Sequence, residues 1–134
     1  MIAGYAALFG VPDAGRDIIL PGAFRRSLRE LRGRPLRMLW QHDTREPIGL
    51  WTELKEDARG LFVRGQIATG VQRAGEALAL VRQGAVDGLS IGFKTVRGRT
   101  DRNTGLRTLT DVDLWEVSVV TFPMIAGARV ISVS

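Results

Sequence analysis

Residues 106–122, LRTLTDVDLWEVSVVTF, run without a glycine or a proline and are rich in β-branched and apolar side chains. So long a segment of that composition reads as extended chain, and an extended chain needs neighbours to satisfy its backbone N–H and C=O groups. The rest of the sequence offers them. IAGYAALF opens as a strand that PDAGRD ends with turn residues, and DIILPG is a second short apolar piece. LRMLWQH reads as a strand, DTREP as a turn and IGLWTELKE as the next strand, with DARG closing a hairpin into LFVRGQIA. A strand around Ser90, a polar loop in RGRTDRNTG, the long run itself up to Pro123, and a last strand in ARVISV complete the series.

Two segments change to helical spacing. Phe24, Leu28 and Leu31 recur on one face before Gly33 and Pro35 stop the run, and Arg25, Arg29 and Arg32 form a basic stripe on the other. In the second, Thr69 and Gln72 have capping-box spacing, Val71, Ala74, Leu78 and Val81 supply a buried stripe, and Gly84 ends the helix. Seven or eight strands with two short helices predict a mainly β (α+β) fold, a bent sheet or closed β-barrel with helical crossovers. With 134 residues, 45% of them apolar, the chain is expected to form one domain over 1–134.

Composition narrows the chemistry. Without cysteine there are no disulfides, thiolate metal sites or cysteine nucleophiles, and a single histidine, His42, rules out a multi-histidine zinc site within the chain. Nucleophilic chemistry therefore falls to serine or threonine with one imidazole to help, and no cofactor is expected. No apolar run has the length to span a bilayer, and MIAGYAALFG lacks the basic start of a signal peptide, so the chain is expected to stay in the cell that makes it. The net charge of +5 rests on 19 basic residues, of which only Lys55 and Lys94 are lysine. The arginines are spread along the chain with few aromatics between them, which favours a solvated surface; a small basic barrel that binds nucleic acid is the sharper alternative.

The stretch DGLSIGFKTV, residues 87–96, poses a packing question. Leu89, Ile91 and Phe93 share one face of the strand, while Ser90 and Gly92 share the other and give up apolar surface there. Glycine in a strand marks a close approach: Gly92 would admit a substrate backbone beside the Ser90 hydroxyl, or permit a sharp bend or a bulky neighbour. A serine hydroxyl is a poor nucleophile until an imidazole removes its proton, and an imidazole works best when a carboxylate fixes its tautomer. His42 is the one imidazole. Carboxylates near it in sequence or on the long run are Asp43, Asp111, Asp113 and Glu116. Asp43 should project away from His42 on a continuing strand, and alternation sends Asp113 and Glu116 to opposite faces, so parity leaves the choice open.

Four pieces, GAF at 22–24, HDTREPIG from His42, GLSIGF at 88–93 and EVSVVTFP at 116–123, together resemble the tailed-phage (caudoviral) prohead maturation protease family, which is related to the herpesvirus assemblin proteases. The chain departs from that pattern after Pro123, where it reads PMIAGA. The resemblance implies an assemblin-like fold and a serine endopeptidase with Ser90 as nucleophile, His42 as general base and Glu116 as the third member. It also suggests Arg97 and Arg99, just past the Ser90 strand, as oxyanion donors, directly or by fixing a water, and favours substrate access as the reason for Gly92. The implied substrate is the major capsid protein precursor with its scaffold segment, and the protease itself, cleaved in the bacterial host cytoplasm inside the assembling procapsid. Self-association, no membrane and no specific nucleic acid belong to the same expectation. A non-catalytic β module that binds capsid or scaffold protein is the alternative.

Overall fold

A computed structural model describes residues 1–134. The strands are β1 (Ile2–Leu8), β2 (Asp17–Ile19), β3 (Leu36–Trp40), β4 (Asp43–Glu56), β5 (Gly60–Ile67), β6 (Gly88–Thr100), β7 (Arg107–Val120) and β8 (Val130–Val133). Helices α1 (Arg25–Leu31) and α2 (Gln72–Gln83) interrupt the series. All eight strands join one sheet in the order β2-β7-β3-β4-β5-β1-β8, with β6 paired to the other edge of β7. The sheet curls strongly into a half-barrel, and a single bridge between Gly88 and Arg129 brings the start of β6 to the start of β8. Fully buried Ile2, Met38, Ile48, Trp51, Leu61, Val63, Leu89, Val112, Val117 and Val119 fill the concave side. Neither helix is long and apolar enough to cross a membrane.

The long run is the hub, as its composition requires. β6 covers one edge of β7 through an antiparallel ladder, and β2 and β3 share the other edge in parallel. Between those two short strands the β7 donors still need partners. Val112 N–H donates to Ala23 O at 3.1 Å, and Leu114 N–H to the Ser27 hydroxyl at 2.9 Å, so the entry to α1 stands in for a strand. That entry is the GAF segment. Gly22 takes φ 93°, a left-handed value that favours glycine, and the Glu56 carboxylate accepts from Gly22 N–H at 3.0 Å and Phe24 N–H at 3.1 Å. Phe24 is then driven wholly into the core.

Several local expectations give way to packing. The polar segment RGRTDRNTG is not one loop: β6 continues to Thr100, and only 101–106 lie between it and β7. Helix α1 ends at left-handed Arg32, one residue before Gly33. Helix α2 begins after Val71 without a side-chain cap, and its buried face is Ala74, Ala77 and Val81, with Val71 exposed; Gly84 ends it in the left-handed conformation as its position predicts. DTREP is not a turn. It is the start of β4, because β3 and β4 reverse one step earlier, at Gln41 and His42.

Candidate active site

The reversal at Gln41–His42 is the tightest the sheet contains. Trp40 pairs with Asp43, leaving a two-residue hairpin loop whose members both have positive φ, 53° and 59°. Asn-Gly and similar pairs usually fill such turns, since any Cβ there costs about 1–2 kcal/mol per residue. Here neither residue is glycine, and contacts with β7 hold the strained tip. Gln41 N–H donates to Val119 O at 2.9 Å, and its side-chain amide makes two bonds to Thr121: Nε2 donates to Oγ1 at 2.7 Å, and Thr121 N–H donates to Oε1 at 3.1 Å. His42 N–H donates to Ser118 Oγ at 3.0 Å. The histidine thus stands on a hairpin tip, where the sequence reading had it ending a strand.

Its ring meets a carboxylate. His42 Nδ1 lies 2.6 Å from Glu116 Oε2, and the other oxygen, Oε1, accepts the Ser118 hydroxyl at 2.7 Å. A carboxylate oxygen accepts, so Nδ1 is the donor in this contact and Nε2 is the ring nitrogen turned away from Glu116. The competing acids are engaged elsewhere. Asp43 binds Arg45 at 3.2 Å, and that hydrogen bond holds its carboxyl below the usual range. Asp111 and Asp113 clasp Arg26 at 3.1 and 2.5 Å, pushing the guanidinium above its ordinary value.

A β-bulge removes the parity ambiguity. The ladder pairs Gly92 with Glu116 but Phe93 with Leu114, so Trp115 is an extra residue in β7. Leu114 and Val117, three apart, are both buried in the core, and alternation restarts between them. Asp113 and Glu116 therefore share a side, contrary to simple alternation, and what separates them is their partners. The same bulge turns Trp115 outward at 61% exposure, whereas Trp51 is fully buried and donates its indole N–H to Val117 O at 2.9 Å.

Register then brings the serine alongside. Ser90 lies directly across from Ser118, and Gly92 directly across from Glu116. Opposed residues have their Cβ atoms about 5 Å apart. Ser90, Ser118 and His42 thus form a contiguous row, with Ser118 touching the His42 backbone. The two serines differ in what their hydroxyls do. Ser118 spends its only proton on Glu116, whereas Ser90 Oγ, in a side chain 2% exposed, has no hydrogen-bond partner. No bond joins Ser90 to His42 in this state.

Of the options weighed on sequence for Gly92, a bulky neighbour is the one the structure shows, and that neighbour is Glu116. A Cβ there would fall 2.3 Å from Glu116 Oε2 and 2.7 Å from its carboxyl carbon, so the missing side chain makes room for the carboxylate. Arg97 and Arg99 stand seven and nine residues beyond Ser90 on the same strand, roughly 23 and 30 Å at about 3.3 Å per residue. They line an open surface with Gly98, Thr108 and Thr110, and nothing joins them to His42 or Glu116. The sequence reading missed Gln41, Thr121 and Ser118. Ser118 carried a signal: it lies two residues from Glu116, and alternation beyond the bulge puts it on the same face. No three acidic or histidine side chains converge as a metal site would require.

A family profile described as caudovirus prohead serine protease matches residues 1–134. The chain is 41% identical over 122 residues to the prohead protease of Enterobacteria phage HK97, covering 90% of this chain and 54% of that protein. It is 35% identical over 130 residues to a capsid polyprotein of Pseudomonas phage PAJU2, covering 91% of this chain and 18% of the polyprotein. The chain thus spans little more than half the length of the first of these relatives. In fold it is similar to the capsid assembly protease of bacteriophage T4, with a TM-score of 0.70 at 14% identity over 88% of this chain and 79% of that one. It is also similar to the KSHV protease solved with a hexapeptide phosphonate inhibitor, with a TM-score of 0.66 at 14% identity over 96% of this chain and 62% of that one.

Proposed function

Because the chain belongs to the caudovirus prohead serine protease family, we propose that it is a serine endopeptidase of capsid maturation whose reacting groups are Ser90, His42 and Glu116. The observation that carries this reading is the His42–Glu116 contact of 2.6 Å beside a serine whose hydroxyl is uncommitted. Residues 1–134 act as one protease domain.

In the reaction Ser90 Oγ attacks the scissile carbonyl carbon while its proton passes to His42 Nε2. Glu116 keeps Nδ1 protonated and offsets the charge of the imidazolium that forms. Collapse of the tetrahedral intermediate breaks the C–N bond, His42 returns the proton to the leaving amine, and water then hydrolyses the acyl-enzyme by the same route. Since Ser90 is covered in the present state, substrate docking or self-association inside the particle has to uncover it and draw it to Nε2. Hydrogen bonds between catalytic groups often tighten only on the substrate complex.

The substrate is the major capsid protein precursor and its scaffold segment, and the protease also cleaves itself. A capsid polyprotein in which a segment aligns with 91% of this chain supports a capsid chain as the target. Cleavage then takes place within the assembling procapsid in the host cell. The test is incubation with precursor capsid protein. Wild type cleaves it; Ser90→Ala loses about 10⁶-fold, and Glu116→Gln, which keeps shape but reverses the hydrogen-bond polarity at Nδ1, loses about 10⁴-fold. Cleavage by Ser90→Ala at the wild-type rate would overturn the assignment, and binding without cleavage by wild type would favour a non-catalytic module.

A further inference from the structure

Ser118 is fully buried, lies at the centre of the site and takes no part in the steps above. Its hydroxyl works in two directions. It accepts the His42 backbone N–H at 3.0 Å and donates to Glu116 Oε1 at 2.7 Å, while Glu116 Oε2 meets the His42 ring at 2.6 Å. These contacts close a ring running from the histidine backbone through a hydroxyl and a carboxylate to the histidine side chain. We propose that Ser118 is the positioning residue of the site, fixing with one hydroxyl both the backbone from which the imidazole springs and the plane of the carboxylate that orients it. The proposal rests on the reading of Ser90, His42 and Glu116 given above.

Two features give the hydroxyl this role. His42 sits at φ 59° beside Gln41 at φ 53°, so the backbone that carries the imidazole does not hold its conformation by local preference and depends on outside partners. The Gln41 side chain anchors its own residue to Thr121, but the bond that reaches His42 itself is the one from Ser118. The second feature is the polarity of the chain of bonds. Serine has one proton and an ionised carboxylate has none, so Ser118 must donate to Glu116 and must accept from His42. That sequence of donors leaves no freedom to flip, and it keeps Glu116 Oε2 free to accept the hydrogen bond from Nδ1. Losing the hydroxyl leaves the carboxylate free to rotate about its last bond and the hairpin tip free to drift. Displacement of about 1 Å in such a group costs about a hundredfold in rate.

Because His42 is the sole histidine, its ring nitrogens give the only imidazole signals in a ¹⁵N spectrum of the full chain. The experiment compares wild type, Ser118→Ala, Ser118→Thr and Ser90→Ala by those signals and by the rate at which a fluorophosphonate labels Ser90. In that labelling the Oγ–P bond forms, fluoride leaves and the serine proton passes to His42. Ser118→Ala should label about ten- to a hundredfold more slowly and lose the dominance of the Nδ1-protonated tautomer, while Ser118→Thr, which keeps the hydroxyl, recovers most of both. A Ser118→Ala protein with the wild-type labelling rate and tautomer ratio overturns the proposal. If the alanine variant does not fold, Ser118→Cys, close in volume with a weaker donor, takes its place with the same two outcomes. Labelling that is absent in wild type, or unchanged in Ser90→Ala, sinks the nucleophile instead, and the tautomer ratio still decides the role of Ser118.

Discussion

A Cβ on Gly92 would lie 2.3 Å from Glu116 Oε2, the oxygen that meets His42 Nδ1. Gly92 and Glu116 are cross-strand partners, so the glycine is the floor on which the carboxylate rests. The site is built from the sheet surface upward: a strand without a side chain, a carboxylate in the space, and an imidazole held against the carboxylate.

Gly92→Ala should therefore separate stability from activity. The atoms in the way are the far end of a flexible side chain, so Glu116 can swing aside and unfolding free energy should fall by no more than about 1–3 kcal/mol. The displaced carboxylate no longer reaches His42. Turnover should drop by about a hundredfold or more with substrate binding little changed, as steady-state kinetics beside urea melts will read.

At the hairpin tip, Gln41 pays for its left-handed backbone with the two bonds to Thr121. Gln41→Ala loses the bonds and keeps the strain, so it should destabilise by about 1–2 kcal/mol. Gln41→Gly loses the same bonds but relieves a strain of about 1 kcal/mol, and should come out closer to wild type. Equal stabilities of the two variants in denaturant titrations would contradict this account of the turn.

Remote from the site, Tyr5 of β1 donates its hydroxyl to Asp57 in the β4–β5 turn. That bond holds the Asp57 carboxyl below its usual range, with the Arg59 and Gly60 N–H groups adding to the effect, and pushes the Tyr5 hydroxyl above its own. A depressed carboxyl contributes stability above its unfolded value and loses it as pH falls through the folded one. A raised phenol contributes below its unfolded value and loses it as pH rises through the folded one. Tyr5→Phe should thus be less stable than wild type between about pH 4 and 10, with the gap closing at both ends. Because the pair is at the surface, the gap is small and should be measured by urea melts across that range.

Strand content was readable because alternation and turn chemistry are local. The run LRTLTDVDLWEVSVVTF became β7 with three strand partners, and Gly84 ended α2 where a left-handed residue was needed. That any imidazole must come from His42 was readable too, since the chain has only one histidine. The expectation of Val71 on the buried face failed because the helix starts only after that residue, and packing against β4 and β5 selected Ala77 instead.

By itself, then, the sequence determined that the chain is mostly strand, which residues could do chemistry and the order in which they come. Tertiary structure alone decided that the chain reverses at Gln41–His42, that a bulge at Trp115 turns Glu116 toward the histidine, that Gly92 houses a carboxylate, and that Ser118 ties the pair together. Alternation is a property of one strand and can be read from it. Register, bulges and left-handed turns arise from the fit between strands far apart in the chain, and no single strand contains that information.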